Sequence, residues 1–372
     1  MSASSLKLSL SATLLLGTFG GIAPSALAQS APVSTPAPAP VGRVSQATGA
    51  VIASVERIGK GRLISQGMPG LEGELGDNID GPSIIEVPSW VKNPLGKYYM
   101  YFAHHRGQYI RLAYANSLAG PWTVYKQGTL RLDQTSALHH IASPDVLVDN
   151  EHQQFVLYYH GAVEMPGGDY GGRPYKQSTF MASSPDGLSF QNRTGDIAAP
   201  YLKAFTYKGK TYALAMSDKK SLYPVWLRSG QFFQSGDGSA PFQPGPRILD
   251  EMRHAAVAVR GDTLHIFYTV VGDQPERIMY TTVDLRPDWT EWTAALPVEV
   301  LRPEFPFEGS DLPLVASRGG MASGREHALR DPGVFDAGDA FYLYYSVAGE
   351  KGIALARVTL KTPAANAAQG AD

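Results

Sequence analysis

A five-fold recurrence constrains this chain more than any other feature. A short apolar segment, usually opened by Pro, leads to an aromatic strand and then to a third strand that ends in a polar turn. The openings read Pro82-Ser83-Ile84-Ile85, Pro144-Asp145-Val146-Leu147, Pro200-Tyr201-Leu202, Ala256-Val257-Ala258-Val259 and Pro332-Gly333-Val334-Phe335. The second strands follow at residues 98–102, 155–159, 212–215, 264–268 and 341–345. A unit of 55 to 77 residues made only of strands predicts an all-β, five-bladed β-propeller, because a small sheet cannot bury both its faces unless its copies stack radially.

The turn chemistry fills in the blade. Ser117-Leu118-Ala119-Gly120-Pro121-Trp122, Ser184-Pro185-Asp186-Gly187-Leu188-Ser189-Phe190 and Arg286-Pro287-Asp288-Trp289-Thr290-Glu291-Trp292 read as tight turns leading into an aromatic fourth strand, so each blade should have four antiparallel strands. The fifth unit ends after Gly352-Ile353-Ala354-Leu355-Ala356-Arg357-Val358, one strand short. Val51-Ile52-Ala53-Ser54-Val55 is the strand available to close it, which removes two free sheet edges. In such a sheet the turns between first and second strands share one face of the disc. The turns between second and third strands, and the links between blades, share the other. The longest segments, residues 161–177 and 297–331, fall in the second class, and so does the start of every innermost strand, which marks that face as functional.

Outside the repeat, Lys7, the apolar run from Leu8 to Ile22 and the small-residue end Ala26-Leu27-Ala28 read as a secretory signal peptide (residues 1–28) cleaved after Ala28. Residues 29–49 are a Ser/Ala/Pro-rich linker, residues 50–360 the propeller and residues 361–372 a disordered tail. Export to the periplasm or medium is the expected location, and a lipid-anchored form is excluded because the chain has no Cys. A formal charge of −2 gives no field that would draw nucleic acid or an anionic membrane, so a carbohydrate is the expected partner of a monomeric protein.

Three units carry an Asp beside the inner-strand Pro: Asp80-Gly81-Pro82, Pro144-Asp145 and Arg330-Asp331-Pro332. Carboxylates brought from separate blades to one axial pocket suit glycosyl transfer to water, in which one group protonates the leaving oxygen and another activates water or attacks. With the blade pattern, Ala142-Ser143-Pro144-Asp145-Val146 and Arg330-Asp331-Pro332, the chain resembles the five-bladed propeller glycoside hydrolases of families 43, 62, 32 and 68, which include arabinanases, β-xylosidases, arabinofuranosidases and invertases. The resemblance implies a hydrolase of pentose- or furanose-containing saccharides with Asp80 as general base and Asp145 as the second Asp that tunes the acid and orients substrate. It requires no organic cofactor and allows a structural Ca²⁺ in the axial channel.

The family's Glu-Gly-Pro acid motif is missing, since the middle blades open with Ala198-Ala199-Pro200 and Arg253-His254-Ala255-Ala256. Glu308, in Glu308-Gly309-Ser310-Asp311, is the substitute chosen for the general acid, with Glu326 the second candidate. His104, His105, His140, Arg253, His254, Arg330, Asp331 and Glu326 are the expected substrate contacts, because imidazole and guanidinium groups hydrogen-bond sugar hydroxyls. Tyr170 is a candidate for stacking on a sugar ring. Competing readings are a non-catalytic carbohydrate-binding propeller, a glycoside phosphorylase holding phosphate through Arg253 and His254, and a uronate-cleaving lyase.

Overall fold

The computed structural model describes residues 51–165, 174–220, 226–239 and 241–361. The signal-peptide and linker assignments, Tyr170 and the tail from residue 362 lie outside the described residues. Strand β1 (Val51–Ile58) precedes the first blade, which comprises β2 (Asp80–Glu86), β3 (Tyr98–Ala103), β4 (Tyr109–Ala115) and β5 (Thr123–Arg131). The second blade holds β6 (Leu138–Asp149), β7 (Gln154–Glu164), β8 (Tyr175–Ser184) and β9 (Gln191–Gly195). The third holds β10 (Lys203–Tyr207), β11 (Lys210–Lys220), β12 (Trp226–Ser235) and β13 (Gln243–Asp250). The fourth holds β14 (Met252–Arg260), β15 (Thr263–Val270), β16 (Ile278–Asp284) and β17 (Val298–Leu301). The fifth is β18 (Arg325–Asp336), β19 (Phe341–Gly349) and β20 (Ile353–Lys361), and β1 is its outer strand, antiparallel to β20. The five four-stranded antiparallel blades and the N-terminal closure are those that the repeat implies.

Aromatic second strands form the glue because successive side chains point to opposite faces of a strand. In β3, Tyr99 and Tyr101 enter the layer shared with Leu157 and Phe180 of the second blade, while Tyr98, Met100 and Phe102 enter the layer shared with Tyr344 and Leu355 of the fifth. Tyr344 and Tyr345 likewise divide between the layers facing the first and fourth blades. Five such apolar layers close the ring, so these tyrosines are packing residues and not a platform for sugar.

Two local expectations give way. Trp289–Glu291 is a 3-10 turn and not a strand, because the Asp288 carboxylate accepts from the Thr290 amide and starts the turn. Trp292 then plugs the layer against Phe205, Tyr212 and Phe232, and the fourth strand begins only at Val298. The segment expected to loop between Gly161 and Gln177 is ladder at both its ends, where pairing continues to Glu164 and Tyr175.

Candidate active site

The inner strands β2, β6 and β18 each carry a bulge at the axial face, between Asp80 and Ser83, between Ala142 and Asp145, and between Arg330 and Gly333. The residue before each Pro takes a left-handed backbone: Gly81 at φ 62°, Ser143 at φ 47° and Asp331 at φ 47°, with Tyr201 of the third blade at φ 60°. A non-Gly residue held there costs about 1–3 kcal/mol, and such strain concentrates where a side chain must be aimed. The register corrects the premise of three equivalent aspartates. Asp80 aligns with Ala142 and Arg330, Asp331 with Gly81 and Ser143, and Asp145 with Ser83 and Gly333.

Asp145 therefore does the work of Ser83. Ser83 Oγ accepts from the Val146 amide at 3.0 Å across the first blade boundary, and Asp145 accepts from the Ala204 amide at 2.8 Å across the next. Lys203 Nζ lies 3.5 Å from Asp145 Oδ1 and donates to the Pro144 carbonyl. Burial raises the Asp145 carboxyl while Lys203 and the Ala204 amide pull it down. These contacts make it a latch between the second and third blades.

Asp80 and Asp331 each face an imidazole expected at this site, His105 and His254, and Asp80 has a further partner, Glu350, that the sequence does not single out. Asp80, His105 and Glu350 bring donor atoms within 4.8 Å of one another, and His105 Nδ1 lies 3.8 Å from Asp80 and 3.5 Å from Glu350. Burial and then the charge of Glu350 push the Asp80 carboxyl well up, against Arg111 and Arg330. Burial also opposes ionisation of Glu350, but its hydrogen bond and charge contact with His105, with Arg330 and Asn78, outweigh this and hold it at about 2. Two carboxylates in one dry place oppose each other's ionisation, and here the opposition falls on Asp80.

Opposite this group, Asp331 is hydrogen-bonded to His254 Nδ1. Burial first, then Arg253 and neighbouring imidazoles, push the His254 ring well below its ordinary range, so it is neutral at pH 7. A column of rings, edge to face, continues from it: Tyr201 lies 4.2 Å from His254 between centroids, His160 4.4 Å from Tyr201, and His140 5.3 Å from His160. Burial, and then His105, hold His140 down to about 4. His105, Gln177, Tyr201, Arg253 and His254 line a cavity of about 240 Å³ on this face. A second cavity of about 340 Å³ meets it at Gln177, Pro200 and Met216 and runs over the second and third blades.

Buried polar atoms without a hydrogen-bond partner cluster here: Asp80 Oδ1, Asp331 Oδ2, His254 Nε2 and both ring nitrogens of His160. Buried polar groups are almost always paired, so such a cluster marks a place built to receive a polar ligand. Glu276, fully buried, holds the frame by accepting from Arg253 Nε at 2.6 Å and Arg330 Nε at 2.9 Å. Arg330 also pairs with Glu350 at 3.2 Å and with Glu326, which caps the Ser323 amide, so Arg330 and Glu326 are framework. Arg253 is satisfied by Glu276 and the carbonyls of Arg318 and Gly320. His104 lies to the side, 3.1 Å from Asp77 at the edge of a separate surface cavity.

The structure removes Glu308 from this place. It is fully buried, accepts from Arg57 of β1 at 2.8 and 3.1 Å, from Tyr345 at 2.9 Å and from the Glu304 and Phe305 amides, and so fastens the closing strand. The expectation was a general acid at the axial pocket, and these partners hold it elsewhere. Glu350 and Glu276, both in turns between second and third strands, are the buried glutamates of the axial face, and their one sequence signal was membership of the turns that reach it.

The ligand set also bears on Ca²⁺. Asp80, His105 and Glu350 form a mixed nitrogen and oxygen group whose charge is already balanced by Arg330 and Arg111, whereas Ca²⁺ takes six to eight oxygens. The residues do not fit that ion.

No family model matches the chain. It is 33% identical over 316 residues to the uncharacterized protein R118 of Acanthamoeba polyphaga mimivirus, covering 76% of this chain and 83% of that protein. Among solved structures it is similar to an α-L-arabinofuranosidase from Lactobacillus brevis (TM-score 0.54, 13% identity, 76% of this chain and 90% of that one). It is also similar to a glycosyl hydrolase from Bacteroides ovatus (TM-score 0.57, 10% identity, 83% and 94%). A third likeness is to a β-xylosidase/α-arabinofuranosidase from a compost microbial metagenome, solved with xylotriose (TM-score 0.50, 13% identity, 80% and 94%). At these identities the shared property is the five-bladed fold.

Proposed function

We propose that this chain, which belongs to the same family as the mimivirus protein R118, is an exported glycoside hydrolase that cleaves pentose- or furanose-containing saccharides by acid–base catalysis. The observation that carries the reading is one axial cavity lined by His105 and His254, the first ring paired with Asp80 and Glu350 and the second with Asp331, on a fold shared with an arabinofuranosidase and a β-xylosidase. A hydrolase of this kind needs one group that delivers a proton to the leaving oxygen and another that takes one from water. Burial and Glu350 disfavour the Asp80 anion, which argues against Asp80 as the base that the resemblance implies and for a place on the proton-donating side. A cavity of about 240 Å³ lies below the roughly 300–1,000 Å³ of pockets for drug-sized ligands, which suits one sugar unit, with the adjoining cavity for its neighbour.

Aryl arabinofuranosides and xylosides, arabinan, xylan fragments and fructan form the test panel. The expected result is turnover of at least one pentoside or furanoside, followed by release of the aryl group or reducing sugar. Sugar binding by calorimetry with no turnover on any member would favour the non-catalytic propeller, and an ultraviolet-absorbing unsaturated product would favour a lyase. The export half of the proposal rests on Lys7, the apolar run and Ala26-Leu27-Ala28. Expressed in a bacterium with its own N-terminus, the protein should leave the cytoplasm with Gln29 as its first residue, and a full-length chain retained in the cytoplasm would refute this.

A further inference from the structure

We propose that two histidine–carboxylate pairs facing the axial cavity are the acid and base of this enzyme, His105 backed by Asp80 and Glu350 on one side and His254 backed by Asp331 on the other. The proposal rests on the hydrolase reading above and supplies the acid that the sequence lacks in its middle blades. Geometry carries it. Both imidazoles line the cavity, whereas Asp80, Glu350 and Asp331 stand behind them and are not among the described lining residues. His105 directs Nδ1 at the two carboxylates, 3.8 and 3.5 Å away, which leaves Nε2 as the atom it can offer to a ligand. His254 gives Nδ1 to Asp331, and its Nε2 is buried without a hydrogen-bond partner. A carboxylate on one ring nitrogen fixes the tautomer and orients the other nitrogen, as in any base held by a third group. The bulge that carries Arg253 and His254 departs from the Pro-marked openings of the first, second and fifth blades, which explains why the fourth presents an imidazole at the axis.

The step balances. Water attacks the anomeric carbon, its oxygen forms the new C–O bond, and its proton passes to His254 Nε2, giving an imidazolium beside Asp331. The bond to the leaving oxygen breaks, and that oxygen takes the proton from His105 Nε2 while His105 Nδ1 takes the proton of Asp80. Asp80 is left ionised and His254 charged; that proton passes through solvent to His105 Nε2 while His105 Nδ1 returns its proton to Asp80, which restores the starting state. The sum is one glycoside and one water consumed, one sugar and one alcohol formed, with no oxidant or co-reactant.

Leaving-group dependence separates the two roles. On the glycoside that the wild type turns over, His254→Ala should lower kcat by 10²–10⁴-fold for all leaving groups, with partial recovery on adding imidazole. His105→Gln should lower kcat by a similar factor for alkyl glycosides but only a few-fold for a dinitrophenyl glycoside, whose departure needs no proton. Retention of more than a third of kcat by His254→Ala, or loss independent of leaving group in His105→Gln, overturns the proposal while the hydrolase reading stands. Because His254 is buried, a second measurement avoids substitution: nitrogen-15 NMR of the wild type at pH 7 should find His254 protonated on Nδ1 and bare on Nε2. The reverse tautomer overturns the base assignment whatever the substrate. Failure of the whole glycoside panel in the wild type, by contrast, strikes the hydrolase reading.

Discussion

Glu308→Ala is expected to lower unfolding free energy by about 3–5 kcal/mol, the range for removing one partner of a buried ion pair. The carboxylate is fully buried and receives Arg57 in two places, the Tyr345 hydroxyl, and the Glu304 and Phe305 amides. Without it, the Arg57 guanidinium loses the partner that offsets its own burial and keeps only Glu304 and the Arg302 carbonyl, nearer solvent. Arg57 lies on β1, so the lost free energy falls on the strand that closes the ring, and the β1–β20 ladder should be the first region to exchange its amide hydrogens. Denaturant unfolding checks the magnitude, and a shift under about 0.5 kcal/mol would refute the latch. The fraction that remains folded should turn over glycosides as the wild type does. Abolished turnover in Glu308→Gln at unchanged stability would instead return Glu308 to the chemistry as general acid.

The contrast between Glu308 and Glu350 marks how far the sequence could be read. Blade number, strand order and the closure by residues 51–58 were legible because strand periodicity and turn residues are local signals, and the aromatic second strands had to pack between blades in any propeller. The site depended on register, which local signals do not fix. The bulges of the three units are equivalent, but Asp80, Asp145 and Asp331 stand at different offsets from their Pro, and so they end in three different positions. Two of them face imidazoles, and Asp145 faces Lys203 and the Ala204 amide. Glu308 and Glu350 look alike as single letters beside Gly, yet one is claimed by an Arg 251 residues away and the other by an Asn 272 residues away. His105 and His254 were identified as contacts of the functional face, but their carboxylate partners could be assigned only once the blades were assembled.

Asp80→Asn should separate activity from stability in opposite directions. A carboxyl group in a free chain titrates near pH 3.9, and in the fold burial and Glu350 raise it well above that. Below about pH 3.9 both states hold the proton and the group contributes no pH dependence. As pH rises through that value the unfolded chain releases its proton while the fold retains it, so native stability falls until the raised native pKa is passed and remains lower beyond it. Asn carries no such penalty, so the variant should be more stable than wild type at pH 7, with the gap shrinking as pH falls toward 4. Glu350 works in the other sense: held at about 2, it contributes stability above its ordinary range that disappears as pH drops through about 2, in wild type and variant alike. Activity should move against stability, with turnover lost by 10²–10⁴-fold because the proton destined for the leaving oxygen is gone. Melting temperature and kcat measured in parallel from pH 4 to 8 decide the matter. A variant with wild-type kcat removes Asp80 from the mechanism, and a variant less stable than wild type at pH 7 makes it a structural anion instead of a strained proton store at the axis.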